Sequence, residues 1–231
     1  MAENKETNNL DLDKTLVDTT HKVEDFYANN KKQINMAIIA VVVIIGGYVG
    51  YKKLIVEPMD IEAQKEIFMA QKYFEMDSFA LALNGNEKFK GFEAIAEEYG
   101  ASKAGNLAHY YAGICNLRTG QYESAIEHLE DFSTENLLIG PLAEGAIGDA
   151  YVELGDLDKG VNHYMKAARM TKNKLTSPVF LKKAGMVYEE KQSYVDALEA
   201  YQTIKKDFAE SQEAQDIDKY IARATALKEG N

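Results

Sequence analysis

The sequence predicts an all-α protein, with a single N-terminal transmembrane helix followed by a stack of helix pairs that a C-terminal helix caps. Three observations predict it. Proline occurs only three times in 231 residues, while Ala, Glu, Lys and Leu, all strong helix formers, recur throughout. A run of 19 residues between Lys32 and Lys52 carries no charge. Beyond it, a pattern of small and aromatic residues returns at spacings of 35 and 37.

Composition narrows the function classes. A chain that is 46% hydrophobic and 27% charged can build a packed core. The net charge of −11, with no Lys/Arg stripe on any expected helix, repels a phosphate backbone, so no nucleic-acid partner is expected. A lone cysteine, Cys115, allows neither an intrachain disulfide nor a cysteine-based metal site.

The uncharged run lies within INMAIIAVVVIIGGYVGYKK, residues 34–53. As a helix, its 19 residues extend ~28 Å, close to the thickness of a hydrocarbon core. Its five Ile and four Val residues contribute about −3 to −5 kcal/mol toward insertion, with no ionised side chain opposing them. Lys31, Lys32, Lys52 and Lys53 bracket it, and Tyr48 and Tyr51 suit an interfacial belt. The apolar segment begins too late for a cleavable signal peptide, so a permanent anchor over residues 34–55 is expected. Gly46, Gly47 and Gly50 form a small-residue patch against which a second membrane helix could pack. The preceding tail, residues 1–33, is expected to be unstructured over 1–12. It then forms a short amphipathic helix with Leu16, Val23, Phe26 and Tyr27 on one face. Basic residues are nearly balanced across the span, so charge counting leaves orientation open.

Residues 56–231 carry the repeat. GICNLRTGQYESAIEHL from Gly113, GDAYVELGDLDKGVNHY from Gly148 and GMVYEEKQSYVDALEAY from Gly185 share one layout. A small residue in a first helix (Gly113, Gly148, Gly185) meets a small residue in a second (Ala125, Gly160, Ala197). Tyr122, Leu157 or Tyr194 follows the turn between them. The layout resembles the tetratricopeptide repeat, which implies an α-solenoid. Asn116 stands where that pattern has an aromatic residue, and Gln192 where it has a turn glycine. A degenerate first unit is expected over residues 61–99, with its break at Asn84-Gly85-Asn86, and a capping helix over 211–228.

No catalytic or cofactor-binding arrangement emerges, and no enzyme activity, cofactor or metal ion is expected. His21, His109, His128 and His163 lack ligand spacing; no nucleophile elbow, phosphate loop or dinucleotide fingerprint is present. Binding is the expected activity. The repeat register turns Tyr110, Ile114, Leu117, Asp149, Val152 and Met186 toward one protein-binding face, suited to an extended or amphipathic polypeptide. Among candidate carboxylate-gripping residues only Lys182 and Lys183 qualify, and the Asn partners that such clamps use are missing.

The order of parts, a charged tail containing VEDFYANNKKQ, a membrane helix ending in GYKK and about four helix pairs, resembles the YfgM family of ancillary subunits of the bacterial SecYEG translocon. The resemblance implies an inner-membrane protein with a cytoplasmic amino terminus and a periplasmic repeat domain. It also implies work beside the translocon with a PpiD-like membrane-anchored chaperone, on polypeptide clients emerging from the pore. The same fold also suits a membrane-tethered receptor or scaffold that binds one defined partner, on the cytoplasmic side in one variant of that reading.

Overall fold

The structure, a computed structural model, describes the backbone of residues 3–230 and the side chains of residues 27–230. The chain divides into two units, Met1–Val56 and Glu57–Asn231.

The first unit is helix α1, Glu3–Tyr51, followed by a π-helical turn over Lys52–Val56. The backbone is helical from Glu3, so residues 3–12, expected to be unstructured, belong to α1. The amphipathic face expected of the tail rests on Leu16, Val23 and Phe26, which lie outside the residues whose side chains are described. No residue of the apolar window is buried, and Ile44 is 69% exposed. A helix this apolar and this bare of protein contact is long enough to cross a membrane.

The second unit is almost wholly helical. Helix α2 (Glu57–Glu75) is followed by α3 (Phe79–Asn84), a two-stranded hairpin of β1 (Gly85–Asn86) and β2 (Phe89–Lys90), and α4 (Phe92–Tyr99). Three long pairs come next: α5 (Lys103–Arg118) with α6 (Tyr122–Asp131), α7 (Ile139–Glu153) with α8 (Leu157–Thr171), and α9 (Ser177–Glu190) with α10 (Tyr194–Asp207). A 3-10 turn at Glu213–Gln215 leads into α11, Ile217–Glu229, which packs on α10. From α4 onward each helix packs on the next in sequence, so the body is repeat-like.

The close crossing inside each pair has one cause. The first helix presents a glycine to a large side chain sixteen positions on: Gly113 to Leu129, Gly148 to Tyr164, Gly185 to Tyr201. A Cβ on Gly148 would stand 2.7 Å from Tyr164 Cδ1 and 3.1 Å from the Gly160 carbonyl oxygen, so the helices meet only where both positions are small.

The turns also share one geometry. Gly120, Gly155 and Gln192 have φ of 80°, 81° and 60°. After each, the next amide donates to a carbonyl five residues back: Gln121 to Asn116, Asp156 to Tyr151, Ser193 to Tyr188. This is the Schellman ending, which satisfies carbonyls that the helix leaves open.

The first unit of the repeat departs from expectation. Its inter-helix turn lies at Asp77, where φ is 56° and the Ser78 amide donates to the Tyr73 carbonyl at 2.9 Å. Ala70 and Ala82, both fully buried, then occupy the two small-residue positions, seven before and five after the turn. Asn84-Gly85-Asn86, read from sequence as the turn, instead opens the hairpin that interrupts the second helix. A Cβ on Gly85 would meet the Gly91 nitrogen at 2.4 Å, so this insertion closes tightly on itself. Phe89 stacks on Tyr73 at 5.0 Å and holds the hairpin to α2.

Candidate protein-binding groove

Helices α5, α7 and α9 each present a stripe at spacings of three and four residues to a common groove of about 720 Å³. From α5 come Tyr110, Ile114 and Leu117; from α7, Leu142, Ala146, Asp149, Val152 and Glu153; from α9, Val179, Phe180 and Lys183. Five of the six residues that the repeat register picks out therefore meet in one place. Met186, one turn past Lys183, lies outside this lining and is 48% exposed. The groove adds Phe74 from α2 and Tyr122 from α6, which sequence reasoning missed. Phe74 was hidden by the misplaced turn of the first repeat, whereas Leu142 and Val179 follow from extending the helical spacing back two turns from Asp149 and Met186.

The apolar floor is aromatic. Tyr110 packs against Phe132 at 5.3 Å and Tyr111 at 5.6 Å, and Phe74 meets Tyr111 edge-on at 5.0 Å. Burial, with the neighbouring Tyr111, pushes the Tyr110 hydroxyl above its ordinary pKa, so it remains a hydrogen-bond donor.

One charged cluster crosses the floor. Asp149 accepts from Lys183 Nζ at 2.6 and 2.8 Å and from the Tyr164 hydroxyl at 2.5 Å. Burial, reinforced by the Asp149 charge, raises the Tyr164 pKa far above the usual range, so that proton stays in place. Lys183 also lies 5.5 Å from the Tyr164 ring centre. Lys182 bonds to Asp216 at 2.7 Å and sits 4.4 Å over the Tyr220 ring. Burial opposes the Lys182 charge, but Asp216 and Tyr220 outweigh it and raise the pKa. The two lysines considered for gripping a terminal carboxylate are thus both engaged within the domain. At the rim the Tyr122 hydroxyl donates to Glu153 at 3.3 Å, and Arg118 is exposed.

The arrangement can take apolar side chains between its rings and orient a bound backbone against a fixed ion pair and two tyrosine hydroxyls. Among the described residues no three His, Cys, Asp or Glu side chains converge where a metal ion could sit. On α1, Gly46, Gly47 and Gly50 have no heavy atom within 4 Å of where a Cβ would stand.

This fold and groove define an all-α chain with, among the described residues, one apolar helix long enough to span a membrane, and a helical, repeat-like body. No protein-family model matches the sequence, and the search of curated proteins found no match.

Proposed function

We propose that the chain is a membrane-anchored protein-binding adaptor whose helix pairs form a tetratricopeptide-repeat-like solenoid. The observation that carries the reading is the meeting of Tyr110, Ile114, Leu117, Asp149 and Val152, from two different repeats, in one groove floored by aromatic side chains. Such a surface takes an extended or helical polypeptide through side-chain pockets. A bilayer anchor confines it to the membrane plane and raises its effective concentration there, so weak contacts suffice.

The resemblance of the tail, span and repeats to the YfgM family supports a particular setting. In this reading α1 anchors the protein in the bacterial inner membrane with the repeat body in the periplasm. The groove works beside the SecYEG translocon with a PpiD-like chaperone, on chains leaving the pore. Gly46, Gly47 and Gly50 offer the face for a neighbouring membrane helix.

The test is site-specific photocrosslinking in cells from Tyr110 in the groove and from Met186 beside it. Translocon or chaperone subunits trapped at Tyr110 are the expected result. Recovery of one unrelated soluble partner overturns the translocon setting, and no crosslink from Tyr110 overturns the groove assignment. With the crosslinker at Met186, the double substitution Tyr110→Ser/Leu117→Ser should reduce the crosslinked product in a chain that still melts cooperatively.

A further inference from the structure

We propose that His109 and His128 bind a divalent transition-metal ion of the zinc class through their two Nδ1 atoms, at the junction of α4, α5 and α6. The two nitrogens are 3.2 Å apart. Two imidazole nitrogens bound to one tetrahedral zinc at 2.0–2.1 Å stand about 3.3 Å from each other, so the ion needs no backbone movement to enter between them.

Glu93 sets the tautomer. Its Oε2 lies 3.1 Å from His128 Nε2, which places the proton on Nε2 and leaves the Nδ1 lone pair aimed at His109. A carboxylate behind a ligating histidine is the arrangement that orients the ring and raises its basicity in metal sites. In the metal-free chain His109 Nδ1–H donates into that lone pair. Binding moves the His109 proton from Nδ1 to Nε2 through solvent, so both rings stay neutral and the proton count is unchanged. Nε2 faces Gly100, where a Cβ would intrude to 3.3 Å, so the glycine leaves room for that proton.

No third protein donor is in place. Water completes the coordination, giving an open and exchangeable site rather than a closed structural one. Because the donors come from α5 and α6, the ion ties the two helices of one pair and stabilises the folded chain in proportion to its occupancy.

The experiment is calorimetric titration of the untagged full-length chain in detergent with Zn²⁺, alongside thermal melting and NMR of the histidine rings. The expected result is one saturable site per chain, a raised melting temperature, and ring shifts at His109 and His128 but not at His163. His109→Gln and His128→Gln should each weaken binding at least about tenfold, and Glu93→Gln by about ten- to a hundredfold. Absence of saturable binding with excess zinc, ring shifts confined to other histidines, or undiminished binding by a folded His109→Gln/His128→Gln chain would each overturn it. The ring-shift measurement needs no variant, so it decides the question even where a substitution impairs folding.

Discussion

A Cβ placed on Gly185 would lie 2.2 Å from Cε1 of Tyr201, whose ring is wholly buried and packed at 5.4 Å against Tyr220. Ala normally improves a helix interior by about 1 kcal/mol over Gly. Here the ring must move, and overpacking of this kind costs about 1–3 kcal/mol or more. Gly185→Ala should therefore destabilise the body by roughly 1–2 kcal/mol net in urea denaturation. An unchanged or raised midpoint would show that the third helix pair has slack at its crossing.

Gln192 holds the left-handed turn position that Gly120 and Gly155 hold in the other two pairs, at φ 60° against 80° and 81°. The left-handed region costs a residue with a Cβ about 1–2 kcal/mol. Gly gives back part of that through its freer unfolded chain. Gln192→Gly should stabilise the fold by about 0.5–1 kcal/mol, and Gly155→Ala should destabilise it by a similar amount. Opposite signs for the two substitutions, read as denaturant midpoints, are the expected outcome.

Those turns also explain how far the fold can be read from sequence. Gly113, Gly148 and Gly185 betray the three long pairs because close helix crossing leaves no choice of residue. The first pair obeys the same rules with Ala70 and Ala82, but its turn carries Asp77, and its second helix is split by a glycine-bounded hairpin whose Gly85 drew the turn assignment. The groove was legible where spacing along one helix decides the facing side, as for Tyr110, Ile114 and Leu117. The Asp149–Lys183 pair was not, because it joins helices 34 residues apart through a side-chain geometry that no local spacing encodes. The His109–His128 contact, nineteen residues apart across α5 and α6, was hidden for the same reason.

Acid should weaken the fold in two steps. Burial, with His128 beside it, lowers the His109 pKa from 6.5. Unfolding therefore takes up a proton once pH drops below that value, and stability declines from there. Glu144 acts at lower pH. Burial favours its neutral form, but bonds from His163 at 2.8 Å and Lys166 at 2.9 Å outweigh burial and hold the carboxyl below 4.5. Its contribution is present above 4.5 and is lost as pH falls through the folded value. Urea midpoints measured against pH in the presence of a chelator should decline below 6.5 in the wild type. That upper step should flatten in His109→Gln and persist in Glu144→Gln.

Cys115 is fully buried in α5, and burial pushes its thiol up to about 12. The reactive thiolate is scarce at neutral pH and shielded besides. A membrane-impermeant maleimide should leave the folded chain unlabelled on either side of a membrane and label it fully in denaturant. Sidedness therefore needs a reporter elsewhere. Leu175→Cys, at a position 68% exposed, on a Cys115→Ala background should be labelled in intact spheroplasts if the body is periplasmic. Labelling only after lysis would reverse the orientation.

The apolar segment of α1 allows a clean separation of folding from association. At Gly46, Gly47 and Gly50 a Cβ meets nothing within 4 Å, and none of the apolar window is buried in the chain itself. Gly46→Leu/Gly50→Leu therefore adds apolar surface that favours insertion by about 0.3–0.6 kcal/mol per leucine. It also removes the close-approach face, the one property that a second membrane helix would sense. The variant should insert and fold as the wild type does, by membrane fractionation and by the urea midpoint of the body, yet recover less of any membrane partner on affinity purification. Recovery equal to wild type would leave these glycines facing lipid, and would shift the search for the partner-binding surface to the Tyr110 groove.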